Sequence, residues 1–88
     1  MEKTLVEIHD TGDGCLYQLH MTQDDILAVL NMRALRKYKI DLPSIRGSAT
    51  LTGDDLAIAY GHPHGTGKID AEFSVLQPIL EKAFQSFN

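Results

Sequence analysis

Short segments in which apolar and polar residues alternate are the feature that most restricts how this chain can fold. A period of two places successive side chains on opposite faces of a strand, so each segment predicts a strand with one buried face. Sequence rich in Gly, Asp and Thr separates the segments and is typical of turns. The pattern predicts five strands, at residues 3–9, 15–21, 49–51, 56–60 and 68–73.

The first helix is predicted from its start signal. Thr22 followed by Asp25 is a capping box, and it precedes a run of apolar residues at helical spacing. Acidic residues at the start and basic residues towards the end suit the helix dipole. We therefore expect a helix over residues 23–38, and Pro43 prevents it from continuing further.

The second helix is predicted near the end of the chain. Ser74 followed by Gln77 is another capping box, and Pro78 falls where the loss of a backbone hydrogen bond costs least. An apolar stripe at three- and four-residue spacing follows from Leu76 to Phe87, which predicts a helix that begins after Ser74.

The order of these elements, ββαβββα, predicts an α+β fold in a single domain that spans residues 1–88. Packed layers imply one mainly antiparallel sheet with both helices on one face. A helix over residues 23–38 is about 24 Å long at 1.5 Å per residue and would carry the chain back along the sheet. Strands two and three would then run parallel, unless residues 39–44 cross back along the sheet first.

Composition removes several classes of protein. Cys15 is the only cysteine in 88 residues, so an internal disulfide and a cysteine-clustered zinc site are excluded. The longest apolar runs, at residues 26–30 and 56–60, are far shorter than the ~20 residues of a membrane span. The N-terminus lacks the basic start and apolar core of a signal peptide. We expect a cytoplasmic protein.

The tripeptide Thr-Gly-Asp occurs twice, at residues 11–13 and 52–54. Sequence identity around the two copies is negligible, so the repetition is interpreted as shared turn chemistry. In the fourth predicted strand, Ala57 and Ala59 alternate with larger residues. These small side chains predict a face that a helix covers, and this face or an exposed sheet edge is also a candidate homodimer contact.

Acidic residues are expected to gather at one end of the molecule if the first helix spans the sheet. The opposite end would hold the first turn and most of the basic residues. Helix capping and turn formation are the structural interpretation of the acidic residues, and a docking surface for a basic protein is the functional one. The predicted docking residues are Asp24, Asp25, Asp54, Asp55 and Glu72.

The sequence His62-Pro63-His64 is the motif that most suggests a metal site. Together with His9 and Asp13 it offers imidazole and carboxylate ligands, which suit zinc or another transition metal. Ligands two residues apart in a loop are not a recognised zinc pattern, and His-Pro is ordinary turn composition. This metal site is the alternative hypothesis, and the main hypothesis includes no cofactor.

No catalytic motif is recognisable. Cys15 begins the apolar face of a predicted strand, so we expect a small buried core residue and not a nucleophile. The G-x-S-x-G pattern of serine hydrolases is absent, and residues 61–68 lack the spacing of a phosphate-binding P-loop. We expect that the chain is not an enzyme.

From Thr22 onward, the order helix, three strands, helix resembles the layout of double-stranded RNA-binding domains. The resemblance implies lysines that contact phosphates at the start of the last helix. Residues 73–78 contain no lysine, and Asp70 and Glu72 come just before them. The net charge of -4 also disfavours a phosphate backbone, so we expect no direct binding of nucleic acid.

These observations favour a small non-enzymatic protein-binding module, of the kind expected for a microbial or phage-type regulator or inhibitor. Its expected partner is a larger basic protein or nucleoprotein, and no membrane is involved. The alternative is a small metal-binding protein or enzyme that uses the loop around His62 and His64. pH sensing by the four histidines is a third hypothesis.

Overall fold

The computed structural model describes residues 2–62 and 65–87, and at positions 62, 65 and 66 it describes the backbone alone. Six strands and two helices form this part of the chain, with a short 3-10 helix at Pro43–Ile45. In chain order the elements are β1 (Lys3–His9), β2 (Leu16–Thr22), α1 (Gln23–Leu30), β3 (Lys39–Leu42), β4 (Gly47–Thr52), β5 (Asp55–His62), β6 (Gly65–Glu72) and α2 (Phe73–Gln85).

The strands form two antiparallel sheets. β1 and β2 form a hairpin in which Val6 lies opposite Leu19. β3 to β6 form a second sheet in which each strand pairs with the next along the chain. The predicted α+β class and single compact domain are confirmed. The structure adds the strand β3 and divides the predicted single sheet into two.

One hydrophobic core lies between the two sheets and the two helices. Alternate residues of the strands supply most of it, and the apolar stripes of the helices complete it. Its largest fully buried side chains include Ile8, Met21, Ile26, Met32, Leu42, Leu56, Ile58, Ile69, Leu76 and Leu80.

The two sheets meet where the turn after β1 touches β6. The backbone N–H of Thr11 donates to the carbonyl of Asp70 at 2.9 Å. The carboxylate Oδ2 of Asp10 accepts a hydrogen bond from the backbone N–H of Asp70 at 2.8 Å. One residue of β6 is therefore held through both of its backbone polar groups by the first turn.

α1 is half as long as the sequence predicted. It ends at Leu30, and irregular turns follow up to Arg36, whose backbone has the left-handed φ of 53°. The N–H of Lys37 donates to the carbonyl of Met32 at 2.9 Å, which closes the turn. Leu35, which the helical pattern placed on the apolar face, is exposed.

The short α1 changes the topology that the sequence predicted. An eight-residue helix is about 12 Å long, so the chain does not return along the full sheet. Residues 39–42 form β3 and cross back beside β4, which is the exception considered above. The prediction that strands two and three are parallel strands of one sheet is not met, because β2 lies in the hairpin and β4 lies in the other sheet.

The outer face of the four-stranded sheet carries the small residues Ala57 and Ala59. The larger side chains of Leu56 and Ile58 point into the core instead, and Ala59 is exposed. The prediction that a helix covers the small-residue face is therefore wrong. Burial of the larger apolar side chains decides which face of β5 turns inward.

α2 begins at Phe73, although the sequence predicted that it begins after Ser74, and it contains Pro78. Its N-cap residue is Glu72, whose side chain makes no capping hydrogen bond. Ser74 therefore lies inside the helix and does not cap it as the sequence suggested. Within residues 2–62 and 65–87, neither α1 nor α2 has the length and apolar character that crossing a membrane requires.

Candidate protein-binding surfaces

The structure separates the predicted acidic residues, and Asp25 is the clearest case. This residue is only 7% exposed, and its Oδ2 accepts hydrogen bonds from both the backbone N–H and the hydroxyl of Ser44. Thr22 caps α1 by accepting a hydrogen bond from the N–H of Asp25 at 3.3 Å. Asp25 thus fastens α1 to the 3-10 helix, while Asp24 remains exposed in the first turn.

Asp54 is also engaged inside the molecule. Its Oδ1 lies 2.9 Å from Nη2 of Arg33 and accepts a hydrogen bond from the backbone N–H of Ser74 at 3.1 Å. Its Oδ2 accepts a hydrogen bond from the Ser74 hydroxyl at 2.7 Å. The Ser74 hydroxyl first, and then Arg33, lower the pKa of the Asp54 carboxyl. Asp54 therefore caps α2 from the turn between β4 and β5.

The predicted separation into an acidic end and a basic end is wrong. Asp25 lies in the first turn of α1, whereas Asp54 contacts Arg33, which follows the last residue of that helix. Asp10, assigned to the other end with the first turn, lines the same cavity as Glu72. The cause is the short α1, which leaves too little length to sort the residues as predicted.

Three exposed carboxylates do lie together on one face of the four-stranded sheet. Asp55 is directly opposite Glu72 across β5 and β6, and Asp70 is two residues before Glu72 on the same face. We call these three residues the acidic corner. Like charges in direct opposition destabilise a strand pair slightly and concentrate negative potential. The period-two spacing of Asp70 and Glu72 is the signal that could have added Asp70.

An apolar groove runs between β1 and α2, and we call it the β1–α2 groove. Two cavities of about 270 Å³ and about 310 Å³ form it, and both are lined by Ile79. The first cavity is lined by Ile8, His9, Asp10, Thr11, Ala71, Glu72, Val75, Leu76 and Ile79. The second is lined by Thr4, Leu5, Val6, Glu7, Ile79, Lys82, Ala83 and Ser86.

The wall that α2 contributes contains large apolar side chains that water can reach. Val75 is 59% exposed and Ile79 is 40% exposed, and their four-residue separation places them on the same side of the helix. The buried Ile8 and Leu76 lie below them. Sequence analysis missed Val75 and Ile79, although their spacing marks a second stripe beside the core-facing one.

The opposite wall of the groove is an edge of β1. Successive side chains of a strand point to opposite faces, so a groove lined by consecutive residues 4–9 follows the edge of the strand. β1 pairs only with β2, and among the described residues no other backbone-to-backbone hydrogen bond reaches it. The groove therefore presents unpaired N–H and C=O groups to an incoming segment.

Charged side chains lie at both ends of the groove, and the end near β6 is the more acidic. At one end lies Asp10, whose pKa is held below its ordinary value chiefly by the backbone N–H groups of Asp70 and Asp13, so it is ionised at neutral pH. The exposed Glu72 lines the same cavity, and the second cavity is lined by the exposed residues Glu7 and Lys82. A bound segment would meet two carboxylates at the β6 end and one charge of each sign at the far end.

The thiol of Cys15 in the first turn and the phenol of Tyr17 in β2 lie near one carboxylate, that of Asp13. Tyr17 donates its hydroxyl to Oδ2 of Asp13 at 2.7 Å, and this bond raises the pKa of Tyr17 to about 12. The Asp13 carboxylate also raises the pKa of the Cys15 thiol, which reduces its nucleophilic thiolate form. Cys15 is exposed, so the prediction of a buried core residue is wrong.

The metal hypothesis depends partly on residues outside this description. His64 lies outside the described residues, and so does the side chain of His62. Asp13 accepts hydrogen bonds from Tyr17 and from the backbone of Cys15, and His9 is exposed. Within residues 2–62 and 65–87, no three potential metal ligands cluster. The four-residue site stays a prediction.

Comparisons with known proteins assign no relative to the chain. No protein-family model matches it, and no curated protein or solved structure is significantly similar to it. A function must therefore be inferred from the geometry of the surfaces described above.

Proposed function

We propose that this protein is a small non-enzymatic module that binds an extended, basic segment of a larger protein in the β1–α2 groove. The observation that supports the proposal is the combination of an unpaired strand edge with an exposed apolar wall. By occupying such a segment, the module would act as a regulator or inhibitor of the larger protein.

Strand addition is the binding mode that this geometry favours. An extended segment laid along β1 would pair its backbone with the open edge, and every second side chain would face Val75 and Ile79. The cavities are at the lower limit of the ~300–1,000 Å³ typical of small-molecule sites. They suit a few apolar side chains better than a cofactor.

Charge selects a basic segment. The protein carries a net charge of -4, and Asp10 and Glu72, the latter a member of the acidic corner, place negative charge at one end of the groove. A lysine or arginine next to the apolar anchor of the partner would lie near Glu72. This complementarity speeds encounter and favours a basic residue at the β6 end of the groove. The same charge disfavours nucleic acid, which we do not expect to bind directly.

The decisive experiment selects binders from a random peptide library displayed on phage and measures the binding of the recovered peptides by titration calorimetry. We expect peptides in which apolar residues alternate with lysine or arginine. Val75→Glu should weaken their binding roughly tenfold or more, since it charges the apolar wall. Leu35→Glu is the matched control, because Leu35 is also 59% exposed but does not line the groove.

The result that overturns the proposal is equally definite. A selection without enriched peptides, or enriched peptides whose binding is unchanged by Val75→Glu, would remove the groove as the binding site.

A second variant tests the electrostatic part. Glu72→Lys should slow association, and more so at low salt, because surface charges act over about 10 Å at 0.1 M salt and further when salt is lower. Glu81→Lys makes the same charge change at an exposed position of α2 that does not line the groove. Equal effects of the two variants would show that net charge alone, and not Glu72, attracts the basic segment.

A further inference from the structure

The outer face of the four-stranded sheet is covered by neither helix. The register of the strands arranges its residues in rows that run across all four strands. One row is Lys39, Thr50, Ala57 and Asp70, and the next is Asp41, Ser48, Ala59 and Lys68. Small side chains thus occupy the two central strands, and charged side chains occupy the two edge strands.

The charges on the two edges are arranged in opposite order. In the first row the β3 edge is positive, at Lys39, and the β6 edge is negative, at Asp70. In the second row the β3 edge is negative, at Asp41, and the β6 edge is positive, at Lys68. All four residues are exposed, and the ion pair found among the described residues involves none of them.

We propose that a second copy of this chain docks on this face, so that two four-stranded sheets pack against each other across a two-fold axis parallel to the strands. This inference concerns the outer face of the sheet, which shares Glu72 with the groove, and goes beyond the function proposed above. The observation that supports the proposal is the opposite order of charges on the β3 and β6 edges, which makes the face complementary to a second copy of itself. A two-fold axis brings the same patch of both copies together, so every contact occurs twice.

The axis parallel to the strands places β3 of one copy over β6 of the other. Lys39 then meets Asp70 of the second copy, and Asp41 meets Lys68 of the second copy. The central strands β4 and β5 meet through serine, threonine and alanine, which allow the sheets to approach closely. Sheets packed in this aligned way cross at about 30° because each is twisted.

The third row fits the same axis. It consists of Thr52, Asp55 and Glu72. Asp55 of one copy lies over Thr52 of the other, so two acidic residues do not face each other. An axis across the strands would also pair Lys39, but with Asp41 of the second copy, and would leave this third row outside the contact. The axis along the strands therefore buries more of the face.

The size of the face predicts a weak dimer. Four strands at about 4.8 Å spacing and three rows about 6.8 Å apart give a patch of about 19 Å by 20 Å. Two such patches total about 760 Å², which is below the ~1,200 Å² of specific, stable interfaces and within the range of weak, transient ones. Association should accordingly depend on concentration and weaken as salt screens the edge charges.

The test is sedimentation of the full chain from micromolar to millimolar concentration, at low and at physiological salt. We expect the mass to rise from the 9.8 kDa monomer towards twice that value. Lys39→Glu should raise the dissociation constant roughly tenfold or more at low salt, because two attractive pairs become repulsive. Lys3→Glu, on β1 in the other sheet, makes the same change in net charge away from this face and outside the groove, and is the matched control.

Charge exchange distinguishes the two axes. Lys39→Glu combined with Asp70→Lys should restore association, because the pair is re-formed with reversed signs. Lys39→Glu combined with Asp41→Lys should not, because both of its new charges would then face like charges. A protein that stays monomeric at millimolar concentration, or rescue by the second combination only, would overturn the proposal.

Discussion

The tripeptide Thr-Gly-Asp forms two turns that share a sequence but not a geometry. The copy at residues 11–13 lies in the longer connection between β1 and β2, where Gly14 and not the glycine of the tripeptide has a positive φ, at 72°. The copy at residues 52–54 forms a two-residue turn between β4 and β5, and Gly53 has a φ of 62°. Loop length decides which glycine adopts the left-handed conformation.

Each of the two turns nevertheless binds another element of the fold through an aspartate side chain. In each, a carboxylate accepts backbone N–H groups from another element: Asp10 holds Asp70 of β6, and Asp54 holds Ser74 of α2. The carboxylate precedes the tripeptide in the first turn and ends it in the second. Turn sequence alone thus predicts a bend, whereas the role of its aspartates depends on what lies across from them in three dimensions.

The largest expected effect tests the first turn. In Asp10→Asn, an amide NH₂ group replaces one of the two carboxylate oxygens and cannot accept the N–H groups bonded to that oxygen. Oδ1 of Asp10 accepts the N–H groups of Gly12 at 2.6 Å and Asp13 at 2.9 Å, and Oδ2 accepts that of Asp70 at 2.8 Å, so either the turn or its bond to β6 loses its acceptor. We expect Tm to fall by roughly 10 °C at pH 7, measured by calorimetry. Exposed Asp24→Asn is the control and should change Tm little.

The pH dependence sharpens this prediction. The pKa of Asp10 is lower in the folded protein than its ordinary value of 3.8, so its stabilising contribution is complete above about pH 4 to 5 and is lost as pH falls through the folded pKa. The difference in unfolding free energy between the protein and Asp10→Asn should therefore shrink below pH 4. A difference that stays constant down to pH 2 would contradict the assigned role of Asp10.

A smaller effect is expected in the second turn. Asp54→Ala removes the cap of α2 and the ion pair with Arg33, both of which are partly exposed to water, and should lower Tm by about 5 °C. Asp55→Ala is the matched control, because Asp55 is exposed and faces Glu72. It should leave Tm unchanged or raise it slightly, since it removes a like-charge pair. Equal losses in both variants would contradict the capping role of Asp54.

Local signals predicted the parts of the fold that local physics determines. Alternation located β1, β2, β5 and β6, and Thr22 marked the start of α1. The end of α1 was missed because Met32 turns into the core and Arg36 adopts a left-handed conformation, both of which depend on tertiary packing. β3 was missed because four residues before Pro43 are too few to show a period.

The residue types of the candidate site were predictable from the sequence, but their hydrogen-bond partners were not. Asp25 and Asp54 were recognised as acidic residues at helix and turn positions, yet their acceptors are used by Ser44 and Ser74 in distant parts of the chain. Long-range hydrogen bonds of this kind leave no pattern in a single sequence. The groove was missed for a related reason, since an unpaired strand edge exists only once the neighbours of β1 are known.

The smallest effect on stability, and the most local, is expected from Asp13 in the first turn. Asp13→Asn removes the carboxylate that accepts the hydroxyl of Tyr17, so the pKa of Tyr17 should fall from about 12 towards 10 in an absorbance titration. The pKa of Cys15 should fall as well, because the same carboxylate raises it, and iodoacetamide should alkylate the thiol faster at fixed pH. Tm should change far less than in Asp10→Asn, because the bonds of Asp13 are exposed. A large loss of Tm without a change in alkylation rate would contradict this prediction. It would show that Asp13 stabilises the fold as Asp10 does and does not control the reactivity of Cys15.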